Sequence, residues 1–186
     1  MDNMIGKQLT SFCVRGYHQG NLVTVTDNDL LGKWNILFFY PADFTFVCPT
    51  ELGDMADHYS DFKNEGCEIY SVSTDSEYVH KAWADASDTI RRIHYPMLSD
   101  HSWILSEAFG VLVSGQALRA TFIIDPKGVI RSYEVNDMGI GRNAAEILRK
   151  LQAAKFVAEH GDQVCPANWQ PGDETLKPSL DLVGKL

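Results

Sequence analysis

Asn35-Ile-Leu-Phe-Phe-Tyr40, closed by Pro41 and followed by Cys48-Pro49-Thr-Glu51, is the stretch that decides the fold. The run is apolar and aromatic without alternation, the pattern of a strand buried on both faces. A helix is expected next. Pro49 suits a first helical position because it has no N–H to leave unpaired, and Glu51 puts an acid in the first turn. Leu52, Met55, Ala56 and Tyr59 then mark one helix face until Gly66 stops it.

Working outward, Cys67 to Ser73 reads as a second strand, with Ile69 and Val72 among small or polar residues. Thr74-Asp-Ser-Glu77 has capping-box spacing and predicts a helix running through Val79, Ala82, Trp83, Ala86 and Ile90. Ala120 to Asp125, Pro-Lys-Gly, then Val129 to Val135 predicts a hairpin whose Pro126 and Gly128 supply the turn. Asn143-Ala-Ala-Glu146 opens a last long helix ending near Gly161. Alternating strands and helices followed by an antiparallel pair imply an α/β, thioredoxin-like mixed sheet with helices on both faces. Beyond Gly161 the prolines, with Trp169, Leu176, Leu180 and Leu182, describe an extended C-terminal arm that docks on its own core or on a partner subunit. The expected organisation is a domain over 1–160 and an arm over 161–186.

The chain has 186 residues, 45% hydrophobic and 22% charged, enough for one domain plus an arm. A net charge of -9 repels phosphate backbones and anionic lipid, which argues against nucleic-acid and membrane-surface partners. The apolar stretches are too short for a membrane span, and Met1 to Val14 lacks a signal-peptide layout, so a cytoplasmic protein is expected. Cys13, Cys48, Cys67 and Cys165 are far apart, with no Cys-x-x-Cys pair and no zinc-ligand spacing. In a reducing compartment a disulfide among them would be catalytic or redox-sensing rather than structural.

Cys48 stands where the central strand gives way to a helix, the place where open α/β sheets bind ligands. In a helix's first turn a thiol meets unpaired N–H groups and the positive end of the macrodipole, both of which favour the thiolate. Pro41 and the neighbouring aromatics can shield one side of the sulfur, while the Thr45 hydroxyl can donate and accept. Such a pocket suits a small polar substrate with one electrophilic oxygen.

Pro41, Thr45 and Cys48 match the Pro-x-x-x-Thr-x-x-Cys motif, and Phe39 to Leu52 as a whole resembles the alkyl hydroperoxide reductase C branch of the peroxiredoxins. The resemblance continues through Ser71 to Asp75, His80 to Trp83, Arg119 to Phe122, Gly139 to Arg142, Val164 to Ala167 and Pro178 to Val183. It implies a thiol-specific peroxidase for hydrogen peroxide and organic hydroperoxides, with Cys48 as the peroxidatic thiol that becomes a sulfenic acid. By the same resemblance Thr45 binds the peroxide oxygens, Pro41 shields the sulfur, Arg119 stabilises the developing charge, and Glu51 and Arg142 orient that arginine. Cys165, in Val-Cys-Pro-Ala, matches the resolving cysteine that forms an intersubunit disulfide. That implies a homodimer, and a decameric ring is expected from it. No metal or bound organic cofactor is implied, so electrons come from a disulfide reductase protein, either an NADH-dependent flavoprotein subunit or a thioredoxin-like one. The Gly-Gly-Leu-Gly insertion and the Tyr-Phe terminal helix of peroxide-sensitive members have no counterpart in Arg91 to Pro96 or Gly184 to Leu186, so resistance to hyperoxidation is expected. Cys13 and Cys67 match no catalytic position, and His80 reads as a packed or solvated residue. The alternative function is a ring-forming chaperone or redox relay on the same scaffold. A thioredoxin-type oxidoreductase is disfavoured because Glu51 stands in place of a second thiol.

Overall fold

The computed structural model describes residues 3–185; Met1, Asp2 and Leu186, at the outer ends of the expected domain and arm, lie outside the described residues. In chain order the strands and helices are β1 (Cys13–His18), β2 (Asn21–Thr26), β3 (Trp34–Phe39), α1 (Cys48–Asp57), α2 (Tyr59–Asn64), β4 (Cys67–Ser73), α3 (Glu77–Ala86) and α4 (Asp88–Arg91). There follow β5 (Met97–Ser99), α5 (Ile104–Ala108), β6 (Leu112–Val113), β7 (Gln116–Ala117), β8 (Arg119–Ile124), β9 (Ile130–Asn136) and α6 (Ala144–Glu159). The chain divides into two compact units between Ala144 and Ala145.

In the first unit all six residues of β3 are buried, as its unbroken apolar run requires. It pairs parallel with β4 and antiparallel with β8, at the interior of a seven-stranded sheet ordered β2-β1-β5-β4-β3-β8-β9. Phe39 packs on Phe109 and Phe122, whose rings lie 4.6 Å apart edge to face. Such pairs contribute about 0.5–1.5 kcal/mol each beyond area burial. The expected β8–β9 hairpin is present, its turn tied by the Asp125 carboxylate, which accepts from the Lys127 and Val129 N–H groups.

Three expectations are corrected. The helix after β3 starts at Cys48 rather than Pro49, and it is broken at His58 into α1 and α2. The helix after β4 is capped by Ser76, not Thr74: the Ser76 hydroxyl accepts from the Val79 N–H. That helix also ends at Ala86, where Ser87 turns extended and caps α4. Extra Ser residues offered competing caps inside a longer apolar periodicity. The outer part of the sheet, β1, β2 and β5, has no counterpart in the sequence reading. Gly16 on β1 explains how tightly it packs, since a Cβ there would lie 2.6 Å from the Met97 carbonyl oxygen on β5.

In the second unit the segment after α6 folds back on that helix. Val164 and Leu176 exchange backbone hydrogen bonds, Thr175 donates to Gln163, and Lys177 pairs with Asp162. Trp169 is buried against Phe156. No helix among the described residues is long and apolar enough to cross a membrane.

Candidate active site

The end of β3 delivers the chain through Tyr40 and Pro41 into the loop that returns at Cys48. Cys48 is wholly buried at the first position of α1, with Pro49 beside it, so its sulfur sits at the positive end of the helix dipole. From β8, the neighbour of β3, Arg119 reaches across: its Nη1 donates to the Cys48 sulfur at 3.4 Å and to Glu51 Oε2 at 2.7 Å. Its Nε donates to the Met138 carbonyl at 2.7 Å, which fixes the plane of the guanidinium.

Glu51 lies one turn after Cys48 on the same helix. Its carboxylate receives Arg142 through Nε at 2.8 Å and Nη2 at 3.1 Å, and the Arg142 backbone N–H at 2.9 Å. Arg142 spends Nη1 on the Ala120 carbonyl and the Thr121 hydroxyl, and its guanidinium lies 3.5 Å from the centre of the Phe38 ring. Each guanidinium nitrogen of this buried cation therefore has an acceptor, and its flat face lies on Phe38 of β3. Burial pushes the Glu51 carboxyl up, but the hydrogen bonds and charge of Arg142, with Arg119 behind, outweigh it and hold the carboxyl below its ordinary value. Burial works against the Arg119 cation too, yet its hydrogen bond to Cys48 and the charge of Glu51 favour it on balance. The result is a permanent positive group fixed against a buried sulfur, with an ionised carboxylate holding it from behind.

The structure thus joins Cys48, Arg119, Glu51 and Arg142 by direct hydrogen bonds. Pro41 is buried at the exit of β3. Thr45 is partly exposed, and its hydroxyl donates to the Ala42 carbonyl at 2.9 Å, leaving its oxygen free to accept. Cys165 lies in the second unit, partly buried, with its thiol 3.9 Å from the Ala153 carbonyl. Burial pushes that thiol above its ordinary value despite the opposing charge of Arg149. Cys67 is buried and Cys13 exposed.

The sequence reading missed a second buried group beside the loop. The Tyr40 hydroxyl donates to Asp43 Oδ1 at 2.7 Å, and His80 Nδ1 lies 2.7 Å from Asp43 Oδ2. Burial first, then the charge of Asp43, pushes the Tyr40 phenol well above its ordinary range, so it remains a donor. The visible signal was a Tyr and an Asp flanking Pro41 in a stretch otherwise read for its thiol.

A guanidinium-bound thiol at the helix start behind the central strand of a thioredoxin-like sheet defines a thiol-dependent oxidoreductase. The family model described as AhpC/TSA matches residues 5–133, and that of the C-terminal domain of 1-Cys peroxiredoxin matches residues 153–186. Alkyl hydroperoxide reductase C of Salmonella typhimurium is 48% identical over 99% of this chain and 100% of its own length; that of Bacillus subtilis is 49% identical with the same coverage. The crystal structure of Enterococcus faecalis AhpC is 59% identical at a TM-score of 0.87, covering 89% of this chain and 100% of its own. Reduced Plasmodium vivax 2-Cys peroxiredoxin is 34% identical at a TM-score of 0.92, covering 97% of this chain and 96% of its own. The chain therefore belongs to the AhpC/TSA family, in the alkyl hydroperoxide reductase C branch of the peroxiredoxins.

Proposed function

We propose that this peroxiredoxin reduces hydrogen peroxide and small organic hydroperoxides in a two-cysteine cycle shared between the subunits of a homodimer. The observation that carries the reading is the Arg119 guanidinium held on the Cys48 sulfur by Glu51. The Cys48 thiolate attacks one peroxide oxygen, the O–O bond breaks, and the leaving oxygen takes a proton to depart as water or alcohol. Cys48 becomes a sulfenic acid. Arg119 stabilises the charge as it shifts from sulfur to oxygen, Thr45 hydrogen-bonds the peroxide, Pro41 keeps water from the sulfur, and Glu51 and Arg142 orient Arg119.

In the second step the Cys165 thiol of the other subunit attacks the sulfenic sulfur, water leaves, and a disulfide forms. Cys165 rides on the arm over 161–186, and the peroxidatic chemistry belongs to the domain over 1–160. A dithiol protein, an NADH-dependent flavoprotein subunit or a thioredoxin-like protein, returns both sulfurs to thiols by exchange. The cycle operates in the cytoplasm, with dimers assembling into a decameric ring.

The test is peroxide-dependent turnover of the purified protein with each reductant in turn, alongside Cys48→Ser and Cys165→Ser. Cys48→Ser should abolish turnover, and Cys165→Ser should stall at the sulfenic acid without an intersubunit disulfide on a non-reducing gel. Wild type remaining at monomer mass after peroxide would refute the intersubunit scheme. Full suppression of aggregation by a Cys48→Ser protein, with no turnover in the wild type, would instead support the chaperone alternative.

A further inference from the structure

His80, a packed or solvated residue by its sequence, has a specific attachment in the structure. It is fully buried on α3, with Nδ1 2.7 Å from Asp43 Oδ2 and Nε2 3.1 Å from the Leu98 carbonyl. A carbonyl only accepts, so Nε2 carries a hydrogen and the ring is fixed in plane and direction. Its other nitrogen is hydrogen-bonded to the Asp43 carboxyl group. Neither side chain has any solvent exposure. Asp43 is held at two further points: Oδ1 accepts from Tyr40, and its backbone N–H donates to Asp75 Oδ2 at 2.8 Å.

The backbone is strained at the residue after Asp43. Phe44 has a φ of 54°, the left-handed region that a bulky side chain rarely occupies. Such a conformation persists only where its surroundings over-determine it. The surroundings here come from one face of α3: His80 holds Asp43, and Trp83, three residues on, packs its ring 5.8 Å from that of Phe44. The next residue is Thr45.

We propose that His80 is a positioning residue for the peroxidase reaction, acting through Asp43 to hold the Pro41 to Thr45 loop in the strained shape that sets where the Thr45 hydroxyl stands relative to Cys48. The inference rests on the assignment of Cys48 and Thr45 above. It separates two contributions to the site: Arg119 and Glu51 act on the sulfur, whereas Tyr40, Asp43 and His80 act on the peroxide's binding partner.

The experiment compares two reactions of Cys48 in the full-length reduced protein: oxidation by hydrogen peroxide, which needs Thr45 in place, and alkylation by iodoacetamide, which does not. In His80→Gln the peroxide rate constant should fall at least tenfold while the alkylation rate constant stays within twofold of wild type. Tyr40→Phe, which deletes only the hydroxyl, should show the same split more weakly and covers the case in which His80→Gln fails to fold. A peroxide rate constant within twofold of wild type in either variant, or both reactions changing in parallel, would overturn the proposal. Cys48→Ser run alongside keeps the underlying reading separate: peroxide turnover persisting in that variant would sink the Cys48 assignment itself.

Discussion

Arg119 donates to the sulfur of Cys48 across 3.4 Å, although the two residues lie 71 positions apart and on different elements. The antiparallel pairing of β3 with β8 brings them together: Phe39, at the end of β3, lies opposite Ala120, the neighbour of Arg119. Removing the guanidinium takes away the cation nearest the reacting atom while leaving Glu51 paired with Arg142. Arg119→Ala should therefore fold and lose roughly 100-fold in the rate of Cys48 oxidation, the usual cost of one charge-stabilising donor. Arg119→Lys keeps the charge but not the fork that serves Cys48, Glu51 and Met138 together, and should fall in between. Stopped-flow measurement of sulfenic acid formation decides it; a wild-type rate in Arg119→Ala would remove Arg119 from the reaction.

Glu51 is the counter-charge for two buried arginines, so it should matter to stability as well as rate. Glu51→Ala leaves both cations without their carboxylate and should cost on the order of 3–5 kcal/mol at neutral pH. The carboxyl is held below its ordinary value of 4.5. Its contribution is thus fully present above that value, declines as the pH falls beneath it, and is lost once the pH passes below the folded value. Urea unfolding of wild type and Glu51→Ala should show a constant gap above pH 5 that narrows toward pH 3. A gap unchanged at pH 3 would contradict the assignment of the charge to Glu51.

The parts of the fold legible in the sequence were those with a local signature. β3 announces itself by its unbroken apolar run, β4 and the β8–β9 hairpin by pattern and turn residues, and Cys48 by its place between strand and helix. Arg119 and Arg142 carried no such mark; only the resemblance singled them out, because their meaning lies in strand pairing and in a carboxylate at the other end of the chain segment. β5 escaped notice because it is only three residues long, and β1 and β2 because polar and small residues break up their apolar ones; the closest contact between β1 and β5 depends on an atom that Gly16 lacks. Gly16→Ala would set a Cβ 2.6 Å from a backbone oxygen that cannot rotate away. It should destabilise the protein by about 1–3 kcal/mol. The denaturant midpoint checks this.

In the proposed cycle Cys165 controls what becomes of the sulfenic acid once it forms. Burial holds its thiol above the ordinary value of 9.0, and the charge of Arg149 pulls the other way. Only the thiolate attacks, so disulfide formation should accelerate steadily as the pH rises from 6 toward 9.5. Arg149→Gln removes that charge and should slow the step at neutral pH while leaving Cys48 oxidation untouched. A slower second step gives peroxide longer to attack the sulfenic acid again, so Arg149→Gln should also accumulate more Cys48 sulfinic acid than wild type. Quenched non-reducing electrophoresis follows the disulfide and mass spectrometry the sulfinic acid. A pH-independent rate, or Arg149→Gln matching wild type in both readouts, would mean that release of the arm rather than ionisation of Cys165 limits resolution.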